Sequence, residues 1–290
     1  MEGMLSDRAN LILNEDGSIY HLRLQPDEIA ETILTVGDPE RVSLVLDFFD
    51  EVEFVRRSRE FVSATGHVKE KRITVVSTGI GTDNVDIVLN ELDALVNIDF
   101  ASRKVKPSLI SLEIVRLGTA GGLQPELAVD SFVVSEFALG FDNLINFYHY
   151  IANLEEVALQ KAIADFSSKL PFIPYVVQGT SSLIERFKNG ATHGLTATCC
   201  GFYGPQGRQL RAPVRDERLL DTLTAFKFAE YSILNLEMET AGLYCLGTLL
   251  GHQVCSLSTL INNRSHGVFT NNLEASISSL IEYTLEQLVA

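Results

Sequence analysis

The chain of 290 residues contains no tryptophan and only 3 Met and 4 Cys, and its 38 Asp and Glu outnumber its 23 Lys and Arg. The formal charge of -15 repels nucleic acid and anionic lipid, so we expect neither as a partner. No apolar run approaches the ~20 residues of a transmembrane helix, and the first residues lack the basic-then-apolar order of a signal peptide. We therefore expect a cytoplasmic protein, in which an anionic ligand would have to be bound by a local cluster of arginines.

Motifs for metals, redox chemistry and common nucleotides are missing as well. Cys199, Cys200, Cys245 and Cys255 form no CxxC pair, which predicts buried, reduced, structural thiols and no metal site. The GxxxxGK[ST] P-loop and the GxGxxG fingerprint are both absent. Nucleoside triphosphates and dinucleotides therefore lose their main sequence support, and we expect no organic cofactor.

Apolar, β-rich runs alternate with helical patterns along the chain. Several runs, such as ITVVS at 73–77, are apolar on both faces, which is typical of a sheet covered by helices on each side. We predict an α/β fold, with a single domain in which helices flank a mixed central β-sheet. The polar residues 1–19 predict an N-terminal extension, and residues 20–290 form the predicted domain.

The predicted strands are Ile33–Val36, Ile73–Ser77, Leu112–Leu117, Phe132–Ser135, Tyr175–Gln178, Gly194–Thr198, Ile233–Leu236 and Val254–Leu260. The predicted helices are Pro39–Phe49, Asn84–Val96, Val157–Leu170, Asp216–Glu230, Met238–Leu250 and Leu273–Leu288, and Asp99–Ser108 is a predicted loop.

Three glycine-rich junctions follow predicted strands: TVGDPERV at 35–42, STGIGTDN at 77–84 and RLGTAGG at 116–122. Glycine lets backbone N–H groups approach an anion closely, and a helix that follows adds its positive end. Each junction alone is also compatible with a tight turn. Arg41 and Arg116 lie at two of them, and Arg59 lies in the cluster RRSREF. Each arginine alone fits a surface ion pair, but three together favour a phosphate ligand.

Five motifs occur in this order at roughly even spacing: GDPERV, STGIG, RLGTAGGL, GFYGPQGR and NLEMETAG. From about residue 20 to the C-terminus they resemble the nucleoside phosphorylase family, which includes uridine phosphorylases, hexameric-type purine nucleoside phosphorylases and adenosylhomocysteine nucleosidases. The resemblance implies a pentosyltransferase that uses inorganic phosphate and forms a homo-oligomer with shared active sites.

By this resemblance, phosphate is bound by Gly37, Arg41, Arg116 and Thr119 and by Arg59 of a neighbouring subunit. Ribose is bound by Glu237, Met238 and Glu239 and by His21 of a neighbouring subunit. Some relatives hold a monovalent cation, and by this resemblance its site in this chain would lie near Glu60 and Ser77.

The base site separates the members of this family. The segment FYGPQGR resembles uridine phosphorylases, in which Phe202 would stack on the base while Gln206 and Arg208 read the uracil edge. A glutamine amide matches the adjacent N3–H and carbonyl of uracil, and arginine supplies donors to O4. Ile261 stands where we align the acid of purine-cleaving relatives.

We therefore expect reversible phosphorolysis of uridine to uracil and ribose 1-phosphate. Three alternatives remain at this point. The segment FYGPQGR could be a plain Gly/Pro turn, the enzyme could be a purine nucleoside phosphorylase with other base contacts, or the chain could be a non-catalytic nucleoside-binding subunit.

Overall fold

The computed structural model describes residues 9–166, 170 and 172–290. Its strands are β1 Thr32–Val36, β2 Glu51–Ser58, β3 Phe61–Val68, β4 Lys71–Ser77, β5 Ile98–Asp99, β6 Lys104–Val105, β7 Glu113–Gly122, β8 Phe132–Phe141, β9 Tyr175–Gln178, β10 Ala191–Cys199, β11 Lys227–Phe228, β12 Tyr231–Glu237, β13 Gln253–Asn263 and β14 Val268–Phe269. Its α-helices are α1 Pro39–Leu46, α2 Thr82–Asn97, α3 Leu154–Phe166, α4 Ser181–Glu185, α5 Leu219–Ala225, α6 Thr240–Leu250 and α7 Leu273–Leu288.

A single twelve-stranded sheet organises the described residues, in the order β11-β12-β10-β8-β13-β7-β1-β4-β3-β2, with β9 and β14 attached to β8 and β13. Strand β1 is parallel to β4 and β7, whereas β3 is antiparallel to both of its neighbours. An additional antiparallel pairing of β12 with β7 closes β7, β13, β8, β10 and β12 into a ring. The mixed central sheet confirms the predicted fold class.

Helices cover both sides of the sheet. Helices α2 and α6 contribute to one apolar cluster, which includes Leu92 and Leu243, and α1, α4 and α7 contribute to another, which includes Val42 and Ile281. All five residues of β1 are buried between these layers, as its two-sided apolar pattern predicts. Burial of each large apolar side chain stabilises the fold by about 1.5–3 kcal/mol. This packing holds the ends of the parallel strands, and the loops that follow them, in place.

The loops after β1 and β4 are shaped by helix caps and glycines. Asp38 caps α1, because its carboxylate accepts a hydrogen bond of 2.9 Å from Glu40 N, and Pro39 occupies the first turn. Gly79 and Gly81, with φ of 71° and 95°, turn the chain from β4 into α2. Both loops lie at carboxyl ends of parallel strands, where open α/β sheets bind their ligands.

The structure differs from the predicted secondary structure in two segments of the sheet. The hairpin of β2 and β3 was not predicted, and Arg59 occupies its turn with a φ of 53°. The predicted helix over Asp216–Glu230 is wrong beyond Ala225, because Phe226 is buried in an extended conformation (φ -69°, ψ 131°) and starts the hairpin of β11 and β12. Burial of one aromatic ring outweighs the helical pattern there.

The predicted N-terminal extension packs against the domain where it is described. Leu11 and Ile19 are buried in the same cluster as α2, while residues 1–8 lie outside the described residues. The predicted loop over Asp99–Ser108 contains a small hairpin of β5 and β6. Part of the predicted helix over Val157–Leu170 also falls outside the description, at residues 167–169.

The cysteine and membrane predictions have separate outcomes. Cys199, Cys245 and Cys255 are buried free thiols, as predicted. The prediction that Cys200 is buried is wrong, because its side chain is exposed. Among the described residues, no helix combines the length and the apolar character needed to cross a membrane.

Candidate active site

A cavity of about 970 Å³ opens where β1, β7, β12 and β13 end. Ten predicted site residues line it together: Gly37, Arg41, Arg116, Thr119, Phe202, Gln206, Arg208, Glu237, Met238 and Glu239. The predicted phosphate, ribose and base residues of one chain therefore meet in one place. His21 and Arg59, the two residues predicted to serve a neighbouring subunit, lie outside it.

Two arginines define one end of the cavity. An Nη of Arg41 donates a hydrogen bond of 3.0 Å to Leu117 O, while its buried Nε has no partner among the described residues. Burial and the nearby charge of Arg116 lower the pKa of Arg41 to about 10, so its guanidinium stays charged at neutral pH. Two cations held close together without a bound anion repel each other, and phosphate relieves that repulsion.

Gly118 explains how Arg116 folds back over its own strand. Residues two apart on a strand point to the same face, so the guanidinium of Arg116 lies directly over Gly118. A Cβ on Gly118 would come within 2.0 Å of an Arg116 Nη and 2.7 Å of Ser258 Oγ. The R-x-G spacing thus leaves the space that the buried arginine needs.

The two glutamates near Arg116 have different tasks. Glu239 pairs with Arg116 through Oε2 and accepts a hydrogen bond of 2.8 Å from Gly81 N through Oε1. Glu237 lies 3.3 Å from Arg116 and accepts hydrogen bonds from Thr198 Oγ1 at 2.5 Å and from the backbone of Glu239 and Thr240 at 2.8 and 2.9 Å. Although burial alone would lower it, the pKa of Arg116 is raised by both carboxylates.

This network assigns Glu237 mainly to the first turn of α6. Both carboxylates accept hydrogen bonds through both oxygens, but the donors to Glu237 are Thr198 and the start of α6, whereas the donors to Glu239 are Arg116 and the Gly81 loop. Half-buried Met238 lies between the two glutamates on the cavity wall. Of the predicted ribose residues, Glu239 and Met238 thus have the geometry best suited to contact a sugar.

The opposite end of the cavity is built from the loop after β10. An Nη of Arg208 donates hydrogen bonds to Gln206 Oε1 at 2.6 Å and to Phe202 O at 2.8 Å. The guanidinium carbon lies 3.9 Å from the centre of the Phe202 ring. A short 3₁₀ turn over Gly204–Gln206, ended by left-handed Gly207, brings the three side chains together. The Gly/Pro turn and the predicted base site are therefore the same feature.

Arg264 was missed by the sequence analysis, which ended the last sheet strand at Leu260. Its buried Nη1 has no hydrogen-bond partner in the described part of the chain, and burial lowers its pKa. Burial and the charge of Arg264 also lower the pKa of Arg208 to about 10, although Arg264 itself is not among the residues that line the cavity. The signal that could have found it is the polar NNR at the end of an apolar strand.

Ile261 and Asn262 also line the cavity. The apolar Ile261 thus reaches the site, as expected, at the position aligned with the acid of purine-cleaving relatives. The acidic residues that line the cavity are Asp38, Glu60, Glu237 and Glu239, which belong to the loop after β1, the β2–β3 hairpin, the end of β12 and the N-cap of α6. None of these four lies on the loop after β10 or on β13.

His21 and Arg59 form one cluster on the outer surface. The guanidinium carbon of Arg59 lies 5.1 Å from the centre of the Tyr20 ring, and that ring packs edge-on against His21 at 4.8 Å. Residues separated by nearly forty positions are thus joined through Tyr20. Neither His21 nor Arg59 lines the cavity of their own chain.

The predicted cation site is divided between two environments. Glu60 lines the cavity, while Ser77 is buried and its hydroxyl accepts a hydrogen bond of 2.7 Å from Val62 N. No group of three or more His, Cys, Asp or Glu side chains suited to a metal ion occurs among the residues described. The monovalent cation stays a prediction.

Comparison with known proteins agrees with this geometry. The family model of the phosphorylase superfamily matches residues 31–287. A uridine phosphorylase of Thermococcus kodakarensis is 28% identical over 253 residues, which are 86% of this chain and 79% of the relative. A DeoD-type purine nucleoside phosphorylase of Colwellia psychrerythraea is 25% identical over 276 residues, which are 93% of this chain and 98% of the relative.

The fold also matches a solved structure. The crystal structure of a Trypanosoma brucei nucleoside phosphorylase, described as showing uridine phosphorylase activity, has a TM-score of 0.87 at 25% identity and covers 96% of this chain and 99% of that one. The resemblance inferred from the five motifs is confirmed, and the chain belongs to the phosphorylase superfamily.

Proposed function

We propose that the protein is a uridine phosphorylase, which converts uridine and inorganic phosphate reversibly to uracil and ribose 1-phosphate. The observation that carries the proposal is one cavity with two charged arginines at one end, a Gln–Arg–aromatic group at the other and a buried carboxylate between them. The Thermococcus relative and the Trypanosoma structure bear the same activity in their names. These three observations support the proposal of uridine as the substrate.

Phosphate would bind between Arg41 and Arg116, with the Gly37 loop and Thr119 supplying further donors. The buried Arg116 is held rigidly by Glu239, so the anion meets a preorganised positive charge. Phosphate then attacks C1′ of the ribose from the face opposite the base. One well-placed donor in such a site contributes roughly 3 kcal/mol to the stabilisation of the transition state.

Ribose would lie over Met238, with its hydroxyls donating to Glu239. A carboxylate can accept two hydroxyl hydrogen bonds, and Glu239 already has a fixed orientation from Gly81 N and Arg116. As the glycosidic bond loosens, the sugar acquires positive charge and the base leaves as an anion. Gln206 and Arg208 would stabilise that anion, while Phe202 stacks on its ring.

His21 and Arg59 would complete the site of a neighbouring subunit. Both side chains contact Tyr20 and neither lines the cavity of their own chain, which is compatible with a shared active site. This arrangement implies a two-fold dimer or a larger assembly that contains one.

The decisive experiment is release of uracil from uridine with and without inorganic phosphate. We expect no uracil release in phosphate-free buffer, because Arg41 and Arg116 suit the site to an anionic nucleophile and not to neutral water. Release at an undiminished rate without phosphate would assign the protein to the hydrolases instead.

Purine nucleoside phosphorylase activity is the second candidate, since a DeoD-type relative aligns with 93% of this chain. Inosine and uridine compared at equal concentration separate the two functions. We expect uridine to be preferred, because Ile261 offers no proton to a leaving purine. A preference for inosine would overturn the proposed base specificity and leave the phosphorolysis mechanism intact.

A further inference from the structure

The loop after β10 separates two cavities. Phe202 and Gln206 line the active-site cavity, whereas Tyr203 and Pro205 line a second cavity of about 650 Å³, and Arg208 lines both. Of the described residues predicted to bind phosphate or ribose, none lines the second cavity. A ligand there would lie outside the active site and yet next to the side chain expected to read the base.

The walls of the second cavity are mainly apolar and aromatic. Phe141 and Phe172 pack edge to face with ring centres 5.7 Å apart, and Leu210 and Pro213 add aliphatic surface. Phe172, Tyr203 and Leu210 are 46%, 53% and 74% exposed, so the described residues leave much of this surface open. A concave, largely apolar surface of this size is typical of sites that bind small molecules.

Positive charge lies at the same place. Arg208, Arg211 and Arg215 line the second cavity, against the single carboxylate of Asp216 among its described lining residues. Neither Arg211 nor Arg215 has a hydrogen bond or an ion pair with any residue that the structure describes. In a chain of formal charge -15, this local excess of unpaired positive charge matches an anion.

An anion that reaches Arg208 would also affect the base site. The guanidinium carbon of Arg208 lies 3.9 Å from the centre of the Phe202 ring, and the Tyr203 ring packs edge-on against that ring at 5.3 Å. An Nη of Arg208 already donates to two acceptors of the loop, Gln206 Oε1 and Phe202 O. An anion in the second cavity competes with these acceptors, and with the base, for one guanidinium group.

We propose that the second cavity is a regulatory site for an aromatic anion, a planar ring that carries a carboxylate or a phosphate group, whose binding weakens that of the base. The ring packs against Phe172 and Tyr203, while Arg211 and Arg215 pair with the anionic group. Binding of the anion does not depend on the proposed function, whereas its effect on the base rests on that function. By linkage, a base in the active site weakens binding of the anion by the same factor.

Cys200 reports on the occupancy of this cavity. It lines the second cavity and is the exposed member of the 4 Cys of the chain, since Cys199, Cys245 and Cys255 are buried. The measurement is the rate at which neutral iodoacetamide alkylates Cys200 in the full-length oligomeric enzyme, followed by mass spectrometry. We expect 2-naphthoate near saturation to slow this rate about tenfold, because the bound ligand covers the thiol. 2-Naphthamide has the same ring without the charge, inorganic phosphate has charge without the ring, and each should slow alkylation less than about twofold.

Uridine 5′-monophosphate is the second probe. Protection by either anion supports the inference, and the one that acts at the lower concentration distinguishes an aromatic acid from a nucleotide as the source. Arg211→Gln and Arg215→Gln should each raise the half-protecting concentration of that anion about fivefold. Arg218→Gln is the matched control and should retain parental protection, because Arg218 is an exposed arginine of the same segment that does not line the second cavity.

The effect on the base is measured by repeating the protection assay with uracil present. The half-protecting concentration of 2-naphthoate should rise with uracil to a plateau, and the KM for uridine should rise with 2-naphthoate. No rise, or a rise without limit, which would place the anion in the active-site cavity, would overturn the inference.

Three further outcomes would also overturn it. These are equal protection by 2-naphthamide, parental protection in both arginine variants, and a Cys200 that reacts only after unfolding, which would show that another subunit covers this surface. If the parent enzyme does not cleave uridine, the proposed function fails, while the alkylation rates still decide whether the anion binds.

Discussion

His21 Nδ1 lies 2.6 Å from Glu91 Oε1. The same carboxylate accepts backbone hydrogen bonds from His21 N at 3.0 Å and from Leu22 N at 2.9 Å. Because a carboxylate oxygen accepts, Nδ1 carries a proton and donates it to Glu91. Glu91 therefore holds both the backbone and the tautomer of the residue predicted to reach a neighbour's ribose.

Glu91→Leu should reduce kcat/KM for uridine about tenfold and leave that for 5′-deoxyuridine nearly unchanged, because the lost contact is to the 5′-hydroxyl. His21→Ala should have the same selective effect. In the double variant the two losses should not add, since both remove one interaction. Steady-state kinetics on the two nucleosides provide the measurement.

Three outcomes would distinguish the roles of His21 and Glu91. Equal losses on both nucleosides in Glu91→Leu would show that the carboxylate only anchors the chain. If His21→Ala leaves the preference between the nucleosides intact, the role of His21 itself is wrong. Glu91→Gln keeps one acceptor oxygen and should recover part of the uridine activity.

Gly118→Ala should raise the KM for phosphate and lower kcat/KM at least a hundredfold. The added Cβ would lie 2.0 Å from an Arg116 Nη, so the guanidinium must move. Gly251→Asn is a suitable control, because Gly251 has a φ of 79° with open space around it and asparagine tolerates that conformation. A Gly118→Ala enzyme with parental phosphate kinetics would show that the position of Arg116 is unimportant.

Gln206→Ala and Arg208→Ala should each lose activity on uridine while the KM for phosphate changes less than about twofold. Unpaired polar groups on the base edge cost about 1–3 kcal/mol each, which corresponds to a loss of about fivefold to 140-fold. Initial rates over a matrix of uridine and phosphate concentrations test this. Parental uridine kinetics in both variants would remove the loop after β10 from the base site.

Arg41→Ala and Arg59→Ala homodimers should both be nearly inactive, whereas mixed dimers should recover activity. In a mixed dimer with shared sites, one site keeps both arginines and the other has neither. Arg41 is preferable to Arg116 here, because removal of Arg116 would leave the buried Glu237 and Glu239 without a counter-charge. Co-expression with two affinity tags isolates the mixed species. Mixed dimers as inactive as their parents would place Arg59 in the site of its own chain or on the free surface.

Sequence alone determined the class of fold and the contents of the cavity. Two-sided apolar strands such as Ile73–Ser77 require helices on both faces. Four of the five motifs lie at the ends of strands, whereas RLGTAGGL, predicted as a junction, lies mostly within β7. Ten residues chosen from those motifs line one cavity, because loops at the ends of adjacent strands converge. The residue types and their order along the chain were sufficient for these inferences.

Only the tertiary structure decided how individual side chains are used. Glu237 and Glu239 look equivalent in the chain, yet Thr198 and the start of α6 engage the first while the second spans the cavity. Asn263 donates to Gln124 O and Leu127 O, whereas the adjacent Asn262 Oδ1 has no hydrogen-bond partner among the described residues. Hydrogen-bond partners of a buried polar group come from distant segments, such as Gln124 for Asn263, so the residue types in the sequence do not reveal which group remains free for a ligand.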